Sequence, residues 1–401
     1  MEKNLEVFFE NYVGKNTLFK NKKVLQANYI PKIISYRSKE IGIIAEILAP
    51  SLKLEKPSNI FIYGKTGTGK TLVVKHVSES MLRIAEKKSV KLKIVYINCK
   101  LKRVADTEYR LIAHLAREFG VMVPATGLPT DEVYKMFIDF LDKDKILLLI
   151  ILDEIDQLVS RTGDGILYNL TRLNSELKNS EISLIGISND LVFTDNLDPR
   201  VKSSLSEEEI VFTPYDAIQL QKILKRRAKL AFKENAVMGG VIEKCAAYAA
   251  REHGDARRAL ELLRIAGELA ERKNEKKIEV KHVDIAEDKI EKDRVIDIIR
   301  TQPKQSKLTL YSIFNIIFKT KGPVFTGDIY DAYKELCFKH GVRPLTQRRL
   351  SDIIAELDMF GIINAKIISK GRYGRTREIC LAIPKSTVPI LKKLLEEELG
   401  L

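Results

Sequence analysis

The chain has no C-x-x-C pair, no internal repeat, no low-complexity tract and no apolar run long enough to span a bilayer. Its four cysteines, Cys99, Cys245, Cys337 and Cys380, lie more than forty residues apart, so they read as reduced core residues of a cytosolic protein. The longest apolar run, 146–152, holds seven residues where roughly 20 are needed to cross a membrane. No targeting signal is visible at the N-terminus, and the expected setting is the cytoplasm, with no membrane partner. With 401 residues there is room for about two or three domains, each able to bury its own core.

What is abundant is positive charge. Lys and Arg number 68 against 54 Asp and Glu, a net charge of +14 with a pI near 9.3. Such an excess points to a polyanionic partner. Residues 301–401 alone carry seventeen basic and ten acidic side chains, so half of the excess lies in the last quarter of the chain.

The octapeptide Gly64-Lys65-Thr66-Gly67-Thr68-Gly69-Lys70-Thr71 fits G-x-x-x-x-G-K-[ST] and follows the apolar strand candidate 59–63. Its glycines let successive N–H groups turn inward on an anion. Lys70 can reach the β and γ phosphates of ATP, or the β phosphate of ADP, and the Thr71 hydroxyl can hold Mg²⁺. The helix expected from about residue 70 to 85 adds its positive N-terminal end. About eighty residues on, the apolar strand 146–152 ends in Asp153-Glu154, a Walker B pattern. A strand apolar throughout is buried on both faces, and its C-terminal end opens on the ligand crevice of an open α/β sheet. Asp153 would then hold Mg²⁺, and Glu154 would deprotonate the attacking water.

Further strands are expected at 93–99 and 182–188. Asn189, at the tip of the second, either positions the lytic water or closes the strand in an Asx turn. From about residue 213 to 294 the pattern is helical and alanine-rich. There Gly254-Asp255 breaks one helix and caps the next, whose Ala256, Ala259, Leu260 and Leu263 form an apolar stripe. Arg257 and Arg258 lie in its first turn, where a cation is misplaced against the helix dipole unless it faces a phosphate. A charge-dense stretch, 271–294, leads to an expected linker at 301–306.

The last unit reads as a helix-turn-helix. Thr326 can cap a helix with Ile329, Ala332, Tyr333 and Leu336 on one face, and Thr346 caps a second with Leu350, Ile353, Ile354 and Leu357 inward. That leaves Gln347, Arg348, Arg349 and Ser351 at the N-terminal end of the second helix, where base edges are read. A hairpin follows, with Lys370, Arg372, Tyr373, Arg375 and Arg377 at or beside its glycine-flanked tip, suited to a phosphate backbone or a minor groove.

Together the phosphate loop, Leu152-Asp153-Glu154-Ile155-Asp156, Ser188-Asn189-Asp190, the segment 197–205 and Gly254-Asp255-Ala256-Arg257-Arg258-Ala259-Leu260 ahead of a winged helix resemble archaeal replication initiators of the origin-recognition/cell-division-cycle family. The resemblance implies an α/β AAA+ parallel-sheet P-loop core at 1–205, an α-helical lid at 206–294 and a C-terminal winged-helix DNA-binding domain at 301–401. It makes Asn189 the sensor-1 residue and Arg257 the sensor-2 arginine, and it sets Tyr29, Ile30, Pro31 and Arg37 around the adenine. Ser38 stands where an acidic residue is usual. The segment 101–129 matches an insertion that touches DNA in relatives. Ser203-Ser204 stands where a Ser-Arg finger is usual, leaving Arg200 as the nearby candidate. The implied partners are double-stranded origin DNA, further initiator copies and the hexameric MCM replicative helicase, with association to the nucleoid. A clamp-loader-like ATPase and a nucleotide-regulated winged-helix transcription regulator share parts of this pattern and stay open at the level of sequence.

Overall fold

Every residue of Leu147–Asp153 is buried, as a strand covered on both faces requires. This strand, β3 (Leu147–Asp153), lies in a five-stranded sheet with β1 (Asn59–Tyr63), β2 (Leu92–Asn98), β4 (Glu181–Ser188) and β5 (Glu207–Val211). The order is β2-β3-β4-β1-β5 and all pairings are parallel. The computed structural model describes residues 17–101, 105–124, 127–205, 207–320, 322–369, 375–384 and 387–401.

Strand alternation divides the core. Ile60, Ile62, Leu147, Leu149 and Ile151 face one apolar cluster, while Phe61, Leu148, Ile150 and Leu152 face the other. Register then brings the strand ends level: Tyr63 pairs with Ser188, Asp153 with Ile187 and Asn98 with Asp153. The phosphate loop, the acid pair and Asn189 therefore emerge along one edge of the sheet.

β5 lies beyond the boundary expected at residue 205. It pairs with β1 along its whole length, so the sheet continues to Val211 before the helical part begins at the helix Ala217–Ala231. The chain before the sheet is likewise shared. Phe19 bridges Phe232, and Leu18 N–H donates to Glu271 Oε1 at 2.6 Å, so residues 18–19 pack on the helices and not on the sheet.

Chain contacts separate residues 1–283 from 284–401. The second unit has its own core, from Val295 and Ile299 through Leu395. Its sheet is antiparallel, in the order β6 (Val324–Phe325), β8 (Arg375–Leu381), β7 (Ile363–Ser369). The linker expected at 301–306 is corrected: one helix runs to Thr301 and the next, Lys304–Lys319, starts at once, with Ser306 buried. Pro303 suits this start, because a helix N-terminus needs no N–H there. The helices Thr326–Lys339 and Gln347–Met359 form, but Thr326 is the first residue of its helix and Phe325 holds the cap position, its N–H donating to Asp328 Oδ2 at 2.9 Å. Cys337, rather than the half-buried Ala332 and Leu336, fills the first helix's inner face with Ile329 and Tyr333. Cys99, Cys245 and Cys337 are buried, but Cys380 is exposed, because in β8 it alternates with the inward Ile379.

Asn59 is a buried polar residue at the start of β1. Its Nδ2 donates to the Leu205 carbonyl and its Oδ1 accepts from Leu184 N–H at 2.8 Å, tying β1 to β4 and to the turn before β5. Replacing Asn59 by Leu leaves both backbone groups without that partner. The expected cost is about 2 to 4 kcal/mol, read as a lower urea midpoint for the first unit with unchanged slope.

Candidate functional site

Asp255 explains how the site is assembled. It caps the helix Ala256–Arg272 by accepting from Arg257 N–H at 2.7 Å and Arg258 N–H at 3.3 Å. The same carboxylate abuts the phosphate loop, since a Cβ on Gly67 would lie 1.7 Å from Asp255 Oδ1. Ala256 N–H donates to the Gly67 carbonyl at 3.3 Å, and Lys65 Nζ lies 3.3 Å from His253 Nδ1. Gly254 permits the turn, with φ of +68° and a virtual Cβ 2.3 Å from the Tyr215 carbonyl. The Gly-Asp-Ala-Arg turn is thus seated on the loop.

Between them lies a cavity of about 910 Å³. Its wall includes Thr66, Gly67, Gly69, Lys70 and Thr71 of the loop, Asp153 and Glu154 after β3, Asn189 after β4, Arg257, and Tyr29, Ile30 and Pro31. Most of the residues singled out for the nucleotide site therefore meet in one place. Lys70 Nζ is held by the carbonyls of Gly64 and Lys65, at 2.6 and 2.9 Å, and by Asn189 Oδ1 at 2.9 Å. Ser188 and Asp190 close the end of β4 instead of Asn189, since Asp190 N–H donates to Ser188 Oγ. Asp153 Oδ2 accepts from Thr71 Oγ1 at 2.9 Å and from the Tyr96 hydroxyl at 2.5 Å. Glu154 has φ of +57°, a left-handed conformation uncommon for a residue with a side chain. Such a backbone costs about 1 to 3 kcal/mol and lifts the carboxylate out of the strand line.

Three residues of the loop sit elsewhere. Gly64, Lys65 and Thr68 are not in the cavity wall; Thr68 is fully buried and its hydroxyl donates to the Lys65 carbonyl at 2.8 Å. Arg37 also stands behind the loop, outside the wall. Its Nε donates to the Thr68 carbonyl at 3.0 Å, another nitrogen to the Thr213 carbonyl, and a third pairs with Glu40 at 2.8 Å. The guanidinium lies 4.2 Å from the Tyr215 ring centroid. All its donors serve the protein, so the expected adenine contact is corrected to a structural one, with Glu40 as the acidic partner missing at Ser38. Arg200 is exposed on the helix Pro199–Leu205 and pairs with Asp198 at 3.1 Å, away from this cavity.

Sequence reasoning missed Lys75, Tyr96, Asn98, Tyr215, Arg226 and Arg227 in the wall. Lys75 stands one helical turn after Thr71, and Tyr96 and Asn98 share one face of β2 beside Asp153, so the periods of 3.6 and 2 carried the signal. Arg227 carried none. It is buried, with its guanidinium 4.6 Å from the Tyr29 ring centroid. Burial pushes the Tyr96 phenol well above its usual range, aided by the Asp153 carboxylate, so it stays a proton donor.

In the second unit, Gln347, Arg348, Ser351 and Arg377 line a shallow depression of about 440 Å³ together with Thr326, Ile367 and Thr376. Thr346 caps the helix by accepting from Arg349 N–H, and Arg377 donates to the Ser351 carbonyl at 2.6 Å, tying β8 to the helix. Arg349 turns aside to Asp352 at 3.6 Å. Lys370, Arg372 and Tyr373 lie outside the described residues, and Arg375 opens β8. No described helix is long and apolar enough to cross a membrane.

Three family models match in series: an AAA domain at residues 54–192, a Cdc6 AAA+ ATPase-type lid domain at 221–288 and a CDC6 C-terminal winged helix domain at 297–389. ORC1-type DNA replication protein 1 of Methanosarcina mazei is 51% identical over 385 residues, 95% of this chain and 92% of its own length. The ORC1-type DNA replication protein of Thermococcus onnurineus is 52% identical over 383 residues, 94% of this chain and 92% of its own. The solved structure of the Aeropyrum pernix ORC1 protein in complex with DNA matches with a TM-score of 0.81 at 44% identity, over 96% of this chain and 98% of that one. These matches favour neither a clamp loader nor a transcription regulator.

Burial lowers Lys70 from the usual lysine range to about 8, with Arg257 adding to the fall and Asp153 opposing it. Phosphates would restore the ammonium, so binding above this value takes up a proton. Nucleotide affinity is expected to be full below about pH 8 and to weaken as pH rises through it. Calorimetry in buffers of different ionisation heat checks this; affinity independent of pH from 7 to 9.5, roughly the window between the shifted and ordinary lysine values, would contradict it.

Proposed function

The chain belongs to the archaeal ORC1-type family of DNA replication initiators, AAA+ ATPases with a C-terminal winged helix, and from that premise we propose a slow, switch-like ATPase that marks origin DNA and recruits the hexameric MCM helicase. The observation that carries the switch is the seat of the Asp255 turn on Gly67. A nucleotide held by the loop is thereby in reach of Arg257, and the lid and the loop move as one or separate.

In this reading Lys70 binds the β and γ phosphates, exchanging its protein acceptors for anionic oxygens. Asn189, which now faces Lys70, orients the water at the γ phosphate, and Glu154 accepts its proton. Arg257 reaches the γ phosphate from the lid. Tyr29, Ile30 and Pro31 pack the adenine. Thr71 and Asp153 offer adjacent hard oxygens 2.9 Å apart, a donor set that fits Mg²⁺. When bound, the ion neutralises charge on the β and γ oxygens. Arg200, exposed and paired with its neighbour Asp198, is available to act on an adjoining copy.

The winged helix binds duplex origin DNA, with Arg348 at a guanine edge and the wing residues, Arg372 among them, on phosphates or in the minor groove. The work is done in the cytoplasm, on the nucleoid. Immunoprecipitating the protein from cells and sequencing the attached DNA tests the role: sharp peaks at origins are expected, and a scatter over promoters would overturn it.

Three substitutions separate the activities. Glu154→Gln keeps ATP binding and slows single-turnover hydrolysis by about 100-fold or more, within the range for loss of a positioned base; a wild-type rate would remove Glu154 from that role. Arg348→Ala is expected to cost about 1 to 3 kcal/mol at the cognate duplex and less on scrambled DNA, whereas Arg372→Ala weakens both and flattens the salt dependence. Fluorescence anisotropy across a salt series reads the difference. Equal losses on both duplexes for both variants would reduce the helix to a backbone anchor.

A further inference from the structure

The wall of the nucleotide cavity contains the hydroxyl of Tyr96, which no step above employs. Tyr96 stands on β2 opposite Ile151, two residues before the pairing of Asn98 with Asp153. Its hydroxyl donates at 2.5 Å to Asp153 Oδ2, the oxygen that also accepts from Thr71 Oγ1 at 2.9 Å. The ring is itself held, with Lys75 Nζ 3.9 Å from its centroid. Asp153 is only 6% exposed, and Lys75 and Tyr96 both line the cavity beside it.

The geometry points to Tyr96 as a positioning residue for the divalent cation of the ATP site, acting by fixing the rotation of the Asp153 carboxylate. The inference rests on the reading that Thr71 and Asp153 hold that cation. A carboxylate on a short side chain turns freely about its last bond unless an oxygen is pinned. Thr71 cannot supply the pin alone, because its hydroxyl oxygen is one of the donors to the ion and moves with it. Tyr96 approaches from the neighbouring strand, fixed by the sheet, and engages Oδ2 rather than Oδ1. Groups that orient a metal's ligands without touching it change metal affinity by about 10- to 100-fold when removed.

The test measures how much Mg²⁺ strengthens binding of a fluorescent, non-hydrolysable ATP analogue by the full chain, compared with binding in EDTA. Linkage makes this gain equal to the gain in metal affinity on binding nucleotide. Tyr96→Phe keeps the ring under Lys75 and removes only the hydroxyl. Its gain from Mg²⁺ is expected to shrink about tenfold, with affinity in EDTA within about twofold of wild type and Mn²⁺ bound more weakly to the complex by electron paramagnetic resonance. An unchanged gain in Tyr96→Phe, while Asp153→Asn loses it, would overturn the inference and leave the cation site standing. An unchanged gain in Asp153→Asn would overturn the cation site and the inference with it. A fall in EDTA affinity as large as the fall with Mg²⁺ would assign Tyr96 to packing and likewise overturn it. Thermal unfolding guards the comparison: a shift in melting temperature without a change in gain is the signature of a purely structural hydroxyl.

Discussion

The contact between Gly67 and Asp255 is the constraint around which the nucleotide site is arranged. An α-helix leaves its first N–H groups unpaired, and Asp255 satisfies two of them on the lid helix. Because the same carboxylate rests where a Cβ of residue 67 would be, capping the helix and closing the lid are one geometric event. The register of Arg257 follows, since it is the second residue of a helix whose start is fixed against the loop. An arginine there works against the helix dipole, and it joins Lys70 in a cavity already short of negative charge. Burial and Arg257 lower the pKa of Lys70 to about 8 against the opposing pull of Asp153. The site is thus preloaded with unfavourable positive charge that polyphosphate relieves, which is how a binding step can draw conformational change from electrostatics.

Arg37 supplies the stiffness behind this arrangement. Its guanidinium joins the Thr68 carbonyl of the loop to the Thr213 carbonyl of the segment leading to the lid, while stacking on Tyr215. Tyr215 in turn underlies Gly254. A planar fork with several donors can tie these segments at once in a way that a lysine cannot. The loop, the entrance to the lid and the lid turn are consequently one connected network, and a shift at the phosphates has no soft joint in which to be lost.

The sequence makes legible those features that depend on contiguous residues. The loop, the acid pair, the lid turn and the second helix of the winged unit each carry their chemistry within about eight residues, and the local periods place them on a strand end or a helix start. Features made by distant residues are silent. β5 reads Glu-Glu-Glu-Ile-Val and has the look of a charged turn; only its edge position beside β1 lets the glutamates face outward while Ile210 is buried. Arg37, which the resemblance sets beside the adenine, is instead engaged by the Thr68 and Thr213 carbonyls and by Glu40. Pro303 marks a linker in sequence but begins a helix in the fold. Arg227 beneath Tyr29 has no local signal at all, because the residues that bury it come from about two hundred positions away.

The switch reading places a quantitative demand on the few groups that can tell ATP from ADP. Differential binding alone can bias the lid, and each tenfold of bias needs about 1.4 kcal/mol. In the proposed binding mode the groups at the γ-phosphate end are Lys70, Asn189, Glu154 and Arg257, all of them in the cavity wall. Of these Lys70 also reaches the β phosphate, and Glu154, an anion, opposes the γ phosphate. Net discrimination must therefore come mainly from Arg257 and Asn189. A charge-assisted hydrogen bond contributes about 1.5 to 3 kcal/mol and a neutral one about 1. Their sum, about 3 to 4 kcal/mol at most, is a bias of hundreds-fold before any cost of ordering is subtracted. That suffices to move a lid equilibrium decisively when the open and closed states are nearly matched, and not when closure is strongly opposed. The existing seat of Asp255 on Gly67 meets this condition, because it lets the closed state stand with protein contacts of its own, leaving the γ phosphate only the last step of the bias to supply.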